Sequence, residues 1–458
     1  MSDRTNTRRV RLLAAVLALA GCLGWLAATG SGAARTAAVE QTSASDQEAR
    51  TAAGQAASAA GTLLRRVGSE KSWKVVRPKE TVSTGDVLLA LPGTRAEVDS
   101  KGGAVRLTLV GNLPELSFIP VLESAVVLNR PGKFDLAFTL DRGRVILTNR
   151  KRAGSATVRV RFRDEAWDVT LDKPGAEVAL ERFGRWLRVP PVTDKPKPED
   201  QPDANVILIV LKGDADLSMD STQYSLRAPP GPALFAWDTR QGPAGPRSLK
   251  ELPPWAKPEA ARSPEARATL AAADRLRAAL EDRPVAAVLA QSLQSKEAAA
   301  RVLAVHALGA TDDLSGLLDA LENKSHPEVR LAALDDLRHW IGRSGEHPSL
   351  LYQTLLKRKY TAGQAKTFIQ LLHSFTDRQL ARPETYELLI DYLKNDRLGI
   401  RELAYWHLLR LVPEGRSIRY DPAGDTAQIN RAYAEWKKLV PTGSLPRPSK
   451  PKKTGGDK

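Results

Sequence analysis

Eight basic residues fall close together in the first half of the chain: Arg142, Arg144, Arg150, Lys151, Arg152, Arg159, Arg161 and Arg163. Guanidinium groups grip carboxylates and phosphates through paired N–H donors, so a face carrying them could hold an acidic polymer of the cell envelope. Arg159, Arg161 and Arg163 alternate with Val158, Val160 and Phe162, which on a strand sets the three on one side. The same pattern also suits an outward sheet face kept charged against edge pairing. All six histidines, His306, His326, His339, His347, His373 and His407, lie in the second half. None stands in a His-x-x-x-His or zincin spacing, so packing or polar-interface roles are expected and a metal site is not. The first half has no histidine to serve a serine nucleophile, and no Gly-x-Ser-x-Gly elbow, phosphate loop or dinucleotide fingerprint occurs. Glu123, Asp135, Asp164 and Glu165 are available carboxylates, but nothing singles out a pair. The expectation is a chain without catalytic activity or cofactor, with envelope polysaccharide hydrolysis as an alternative.

The only cysteine, Cys22, precludes a disulfide within the chain. It sits in an apolar run, residues 12–28, preceded by Arg4, Arg8, Arg9 and Arg11. A basic start before an apolar run is an export signal, and the charge keeps that start cytoplasmic. Leu19-Ala20-Gly21-Cys22 resembles a bacterial lipobox, which makes Cys22 a candidate for lipidation. Apolar residues continue beyond it, so the run also reads as a signal-anchor helix. Both readings of residues 1–30 tie the chain to a membrane with its body on the periplasmic side. Residues 31–60, rich in Ala, Ser, Thr and Gln, read as a flexible stalk.

Over 61–190 the apolar period is two, as in Val105/Leu107/Leu109 and Leu136/Phe138/Leu140, with Gly-containing turns between the runs. Short strands spaced this way predict an all-β sandwich or roll. The Pro- and charge-rich stretch 195–203 reads as a linker. A small β extension over 204–256 follows, led by Val206-Ile207-Leu208-Ile209-Val210-Leu211, and completes or packs on the first sheet. The segments Asp86-Val87-Leu88-Leu89-Ala90-Leu91-Pro92-Gly93, Leu140-Asp141-Arg142-Gly143-Arg144-Val145 and Trp167 to Pro174-Gly175 are similar to those of FecR-type extracytoplasmic domains. The resemblance implies an all-β domain outside the membrane that senses or docks a partner. Regulators of that family carry a cytoplasmic anti-sigma segment, which the short stretch before the apolar run does not match.

Near Ser263 the period changes to 3.6. Ser263-Pro264-Glu265 is a helix start, and helices are expected over 263–281, 284–294, 296–308, 313–322, 327–342, 348–358, 361–375, 383–394, 397–411 and 425–439. An Arg-x-x-Ala-x-x-x-Leu pattern recurs at Arg301, Arg330 and Arg401. Small Ala lets helices approach, Leu buries on the same face, and Arg reaches an acid or carbonyl of the next hairpin. Pro327-Glu328-Val329-Arg330 resembles the start of the second helix of a HEAT repeat, which implies an all-α, HEAT-like solenoid over 263–440. Residues 441–458 form a basic tail without apolar periodicity, expected to be disordered.

The formal net charge of +15 is spread along the chain. The architecture expected is multidomain: an N-terminal membrane anchor, a FecR-like all-β domain and a HEAT-like solenoid. The expected role is a membrane-anchored extracytoplasmic scaffold or sensor, with a protein partner on the solenoid and an acidic envelope polymer on the β domain, and no nucleic acid. A FecR-related transmembrane signalling component is the alternative.

Overall fold

The computed structural model describes residues 50–446 other than 69, 71, 116–120, 194, 198 and 257–262. Cys22, the anchor, most of the stalk and the end of the basic tail lie outside the described residues. No described helix is long and apolar enough to cross a membrane.

A β-sheet region is followed by a helical one. The strands are β1 (Ala52–Ala56), β2 (Leu63–Val67), β3 (Lys74–Val75), β4 (Thr81–Ser83), β5 (Asp86–Ala90), β6 (Arg95–Ser100), β7 (Val105–Val110), β8 (Ser124–Leu128), β9 (Leu136–Asn149), β10 (Ala156–Phe162), β11 (Glu165–Leu171), β12 (Glu177–Arg185), β13 (Asp203–Lys212), β14 (Asp214–Met219), β15 (Thr222–Arg227), β16 (Leu234–Asp238) and β17 (Gly242–Arg247). They form two sheets joined through β9, whose first half pairs with β8 and, in parallel, with β10. Its second half pairs with β7 and β12. The ladder to β8 shifts register between Ala125 and Val126, and Gly143 follows at φ +82°. A side chain on Gly143 would meet the Glu123 carbonyl at 2.0 Å, so only glycine allows β9 to pass this point. Leu88, Val126 and Phe138 of one sheet share a core with Leu107, Val145 and Leu180 of the other.

One expectation is corrected. The sheet already begins with β1, inside the stretch read as a stalk. Ala53 and Ala56 are buried there, and a Cβ on Gly54 would come within 2.5 Å of the Asp99 carbonyl, so this strand is small-residued because its neighbour lies close. Residues 204–256 belong to the same sheets: β13 pairs with β12 along its length and with β16, and β14 pairs with β11.

The helices are α1 (Pro264–Leu280), α2 (Val285–Leu293), α3 (Ala298–Ala310), α4 (Leu314–Leu321), α5 (Pro327–Trp340), α6 (His347–Lys357), α7 (Ala362–Leu371), α8 (Asp377–Leu380), α9 (Pro383–Tyr392), α10 (Leu398–Leu411) and α11 (Thr426–Leu439). Ser263 caps α1 through Oγ, which accepts from the Ala266 amide at 3.1 Å, as its sequence position predicts. Thr361 and Asp425 form capping boxes with Gln364 and Gln428. Consecutive helices pack as hairpins, and α3 lies against α5 in the next hairpin.

The helical core does not stop at the helices. Leu64, Trp73, Leu89, Leu91 and Ala125 of the strand region pack into it. This explains why Leu88-Leu89-Ala90-Leu91 is apolar without alternation: Leu88 and Ala90 face the core between the sheets, Leu89 and Leu91 face helices. Full burial of each leucine is worth about 1.5–3 kcal/mol, so these contacts join the two regions substantially.

Candidate binding site where strands meet helices

Between the two apolar cores lies a buried charge network. Glu123 sits just before β8, Arg142 on β9, Asp312 in the turn after α3 and Arg343 in the turn after α5. Glu123 Oε1 accepts from Arg142 Nε at 2.6 Å and also from Arg343 Nη2. Arg343 Nη1 donates to Asp312 Oδ1 and to the Gly309 carbonyl, both at 2.8 Å. Arg142 Nη2 donates to the Ala310 carbonyl at 2.6 Å, and Nη1 pairs with Asp141. Burial alone would raise the Glu123 carboxyl, but the fields of Arg343 and Arg142 outweigh it and hold it at about 2. Asp312 is also held low: burial opposes, and Arg142 and Arg343 prevail.

Other contacts fasten the same boundary. Trp73 Nε1 donates to the Thr311 carbonyl at 3.1 Å, and Trp186 Nε1 to the Ile341 carbonyl at 2.8 Å. A Cβ on Gly184 would meet the Gly342 carbonyl at 2.2 Å, and one on Gly342 would meet the Gly184 carbonyl at 2.8 Å. Two backbones thus touch here, and both residues must lack side chains. The stretch read as a linker is docked as well, since the Gly345 amide donates to Gln201 Oε1 at 3.1 Å; just before it, Ser349 Oγ donates to the Thr193 carbonyl.

The eight basic residues do not share one open face. Arg142 and Arg144 are buried. Arg144 pairs with Glu181 and stacks on Trp255, with Cζ 3.6 Å from the ring centroid. Lys151 pairs with Asp135 at 2.9 Å, and Arg159 makes a two-pronged contact with Asp168 at 2.7 and 2.8 Å. Arg150, Arg152 and Arg161 are exposed. Arg163 is exposed too, but it lies in the β10–β11 turn and donates through Nη1 to the Pro202 carbonyl at 2.8 Å. β10 is flanked by β9 and β11, so its charges do not guard an edge. The division arises because helices cover the sheet face that carries Arg142, which no local pattern reveals.

Beside the network is a cleft of about 370 Å³, lined by Arg163, Asp164, Arg182, Gln201, Arg343 and Ser344 among others. A second cleft of about 310 Å³ lies where strand turns gather, lined by Glu165, Asp220, Asp238, Tyr224 and Trp237 among others. Burial, then the charges of Asp220 and Asp164, raise the Glu165 carboxyl.

In the helical region the recurring arginines act alike. Arg301 Nη1 donates to the Ser295 carbonyl at 2.6 Å, Arg330 Nη1 to Asn323 at 3.0 Å and Arg401 Nη1 to Asn395 at 2.6 Å. Each ties its helix to the loop before it. Arg301 also pairs with Glu328, while Arg330 reaches Glu402 at 2.6 Å and Asp421 at 2.8 Å. Arg401 Nε instead meets the Pro422 carbonyl at 2.6 Å. Among the described residues no group of three His, Cys, Asp or Glu is placed to hold a metal. His306 Nδ1 lies 3.0 Å from Asp336 Oδ2, His407 Nε2 lies 2.7 Å from the Leu371 carbonyl, and His347 stacks on Trp340 at 3.9 Å.

No family model, curated protein or solved structure matches the chain.

Sequence reasoning missed Glu123, Asp312 and Arg343 as one site. The only local signal was an acid directly before an apolar strand and an Arg just past a helix end.

Proposed function

We propose that this chain is a membrane-anchored, extracytoplasmic scaffold or sensor that binds partners without catalysing a reaction. In this reading the β region is FecR-like, the helical region is a HEAT-like solenoid, and the N-terminus holds both at the membrane. One observation carries it: Glu123 is shared by Arg142 of the strands and Arg343 of the helices. Two regions joined by exposed linkers would move independently. A buried carboxylate gripped from both sides resists that motion, because opening the boundary would strand charges away from their partners. A fixed body keeps a strand surface and a helix surface at constant spacing, as a scaffold requires. The solenoid would take a protein partner.

The test uses the full chain in its native membrane. Mass spectrometry of the N-terminus and protease added to spheroplasts are read together. The reading expects an acylated Cys22 or an intact anchor, with the C-terminal tail digested from outside. A tail protected until lysis removes it. Photo-crosslinkers at the exposed Leu331, Leu350 and Leu388 should capture one and the same protein. Absence of a common adduct removes the solenoid's role. An acylated Cys22 would exclude the alternative, a transmembrane signalling component, because that role requires a spanning helix.

A second reading, an envelope polysaccharide hydrolase, draws support from the cleft of Glu165, Asp220 and Asp238 beside Tyr224 and Trp237. A raised carboxyl near a second carboxylate suits acid catalysis, and aromatic rings suit sugar faces. Release of soluble fragments from purified cell-wall glycan, lost in Glu165→Gln, would support it. No release by the wild type would end it.

A further inference from the structure

The cleft between strands and helices gathers three guanidinium groups against one exposed carboxylate, Asp164. Arg163 comes from the β10–β11 turn, Arg182 from β12 and Arg343 from the turn after α5. The charges of Arg163 and Arg182 are incompletely answered. Arg182 has Asp141 only at 3.9 Å, and its Nε is buried without a hydrogen bond. Arg343 is committed through Nη1 and Nη2, but its Nε is likewise buried without a partner. Burial lowers the Arg182 guanidinium, and the charges of Arg163 and Arg142 lower it further against the pull of Asp141.

Arg163 adds an independent sign. Its φ is +50°, in the left-handed region where glycine or asparagine is the less strained choice. An arginine kept in such a turn, with its side chain anchored on Pro202 at the cleft wall, is more readily explained by what it can hold than by the turn.

We propose that this cleft binds an oxyanion, a phosphate or carboxylate group, through Arg163 and Arg182, with the committed Arg343 adding positive charge at its wall. Guanidinium forks match both groups, and the cleft volume is that of a small-molecule site. Such a ligand would bridge the strand and helical regions, and its binding would stabilise their union by mass action.

Isothermal titration of the full-length chain in detergent tests this, with inorganic phosphate in one arm and citrate in the other. Saturable one-site binding in either arm is expected, and the tighter arm identifies the group. Arg163→Asn should weaken binding about tenfold or more, since a guanidinium fork is removed. Its urea midpoint should not fall, because asparagine accepts the positive φ. Arg161→Gln, on the neighbouring exposed strand position, should bind as the wild type does. Absence of saturable binding in both arms overturns the site, and so does equal loss in Arg163→Asn and Arg161→Gln. Arg182→Gln should also abolish binding; unchanged affinity in a folded Arg182→Gln protein overturns the site as well. If that variant does not fold, Arg163→Asn alone decides.

Discussion

Arg142 and Arg343 come from opposite regions of the chain and donate to the same oxygen, Oε1 of Glu123. Neither region alone completes this arrangement. Removing Arg343 as Arg343→Ala leaves Asp312 without its 2.8 Å partner and weakens the hold on Glu123. Breaking a buried pair from one side costs about 3–5 kcal/mol. Urea unfolding should register that loss, and it should separate a single transition into two as the regions uncouple. A midpoint unchanged from the wild type would mean the network does not join them.

Glu123 also sets an acid limit. Its folded pKa of about 2 lies below the ordinary carboxylate value. A depressed carboxyl contributes stability that is present above the unfolded pKa, about 4.3, and is lost as pH falls toward the folded value. Asp312, shifted the same way, adds to it. Glu123→Gln should therefore flatten the acid limb of stability against pH while lowering the plateau. Parallel profiles for variant and wild type would contradict this.

Burial holds His373 at about 4 and His407 at about 3, each further lowered by Arg338; for His407 the Leu371 carbonyl pulls the other way. A buried neutral histidine contributes stability fully above its unfolded pKa, about 6.5, which is lost as pH falls through that value toward the folded one. His306, raised because Asp336 outweighs its burial, works in the opposite sense. Replacing His407 with Gln should reduce the stability lost between about pH 7 and about pH 5. Chemical denaturation at both pH values measures it, and an unaltered difference would refute it.

Gly184 and Gly342 bring two backbones together at the boundary. Gly184→Ala forces the strand and the helix end apart. The expected result is faster proteolysis within residues 186–202, whose contacts at Gln201 and Thr193 depend on that closeness. The exposed Gly102→Ala, with nothing near its Cβ, should leave proteolysis unchanged.

The recurring arginines should differ in weight. Arg330 is fully buried between Glu402 and Asp421, whereas Arg401 meets carbonyl groups. Arg330→Ala strands a buried carboxylate and should cost about 3–5 kcal/mol, against about 1.5–3 kcal/mol for hydrogen bonds from a charged group in Arg401→Ala. Equal losses in thermal or urea unfolding would show that Glu402 gains nothing from Arg330.

Much of the fold was legible in the chain itself. Periods of two and 3.6, with Ser263-Pro264 between them, located the change from strands to helices, because side-chain direction repeats locally. The Arg-x-x-Ala-x-x-x-Leu pattern anticipated that Arg301 would reach an acid of the next hairpin, Glu328, whereas Arg330 reaches past the hairpin of α6 and α7 to Glu402 on α10. What stayed hidden depends on the path of the chain through space. β1 has no apolar pattern because Gly54 and two alanines fit a close neighbour. Arg142 looked like surface charge until helices covered it. Glu123 and Arg343 are brought together only when both cores have packed, and the pairing of residues so distant is a property of the tertiary structure alone.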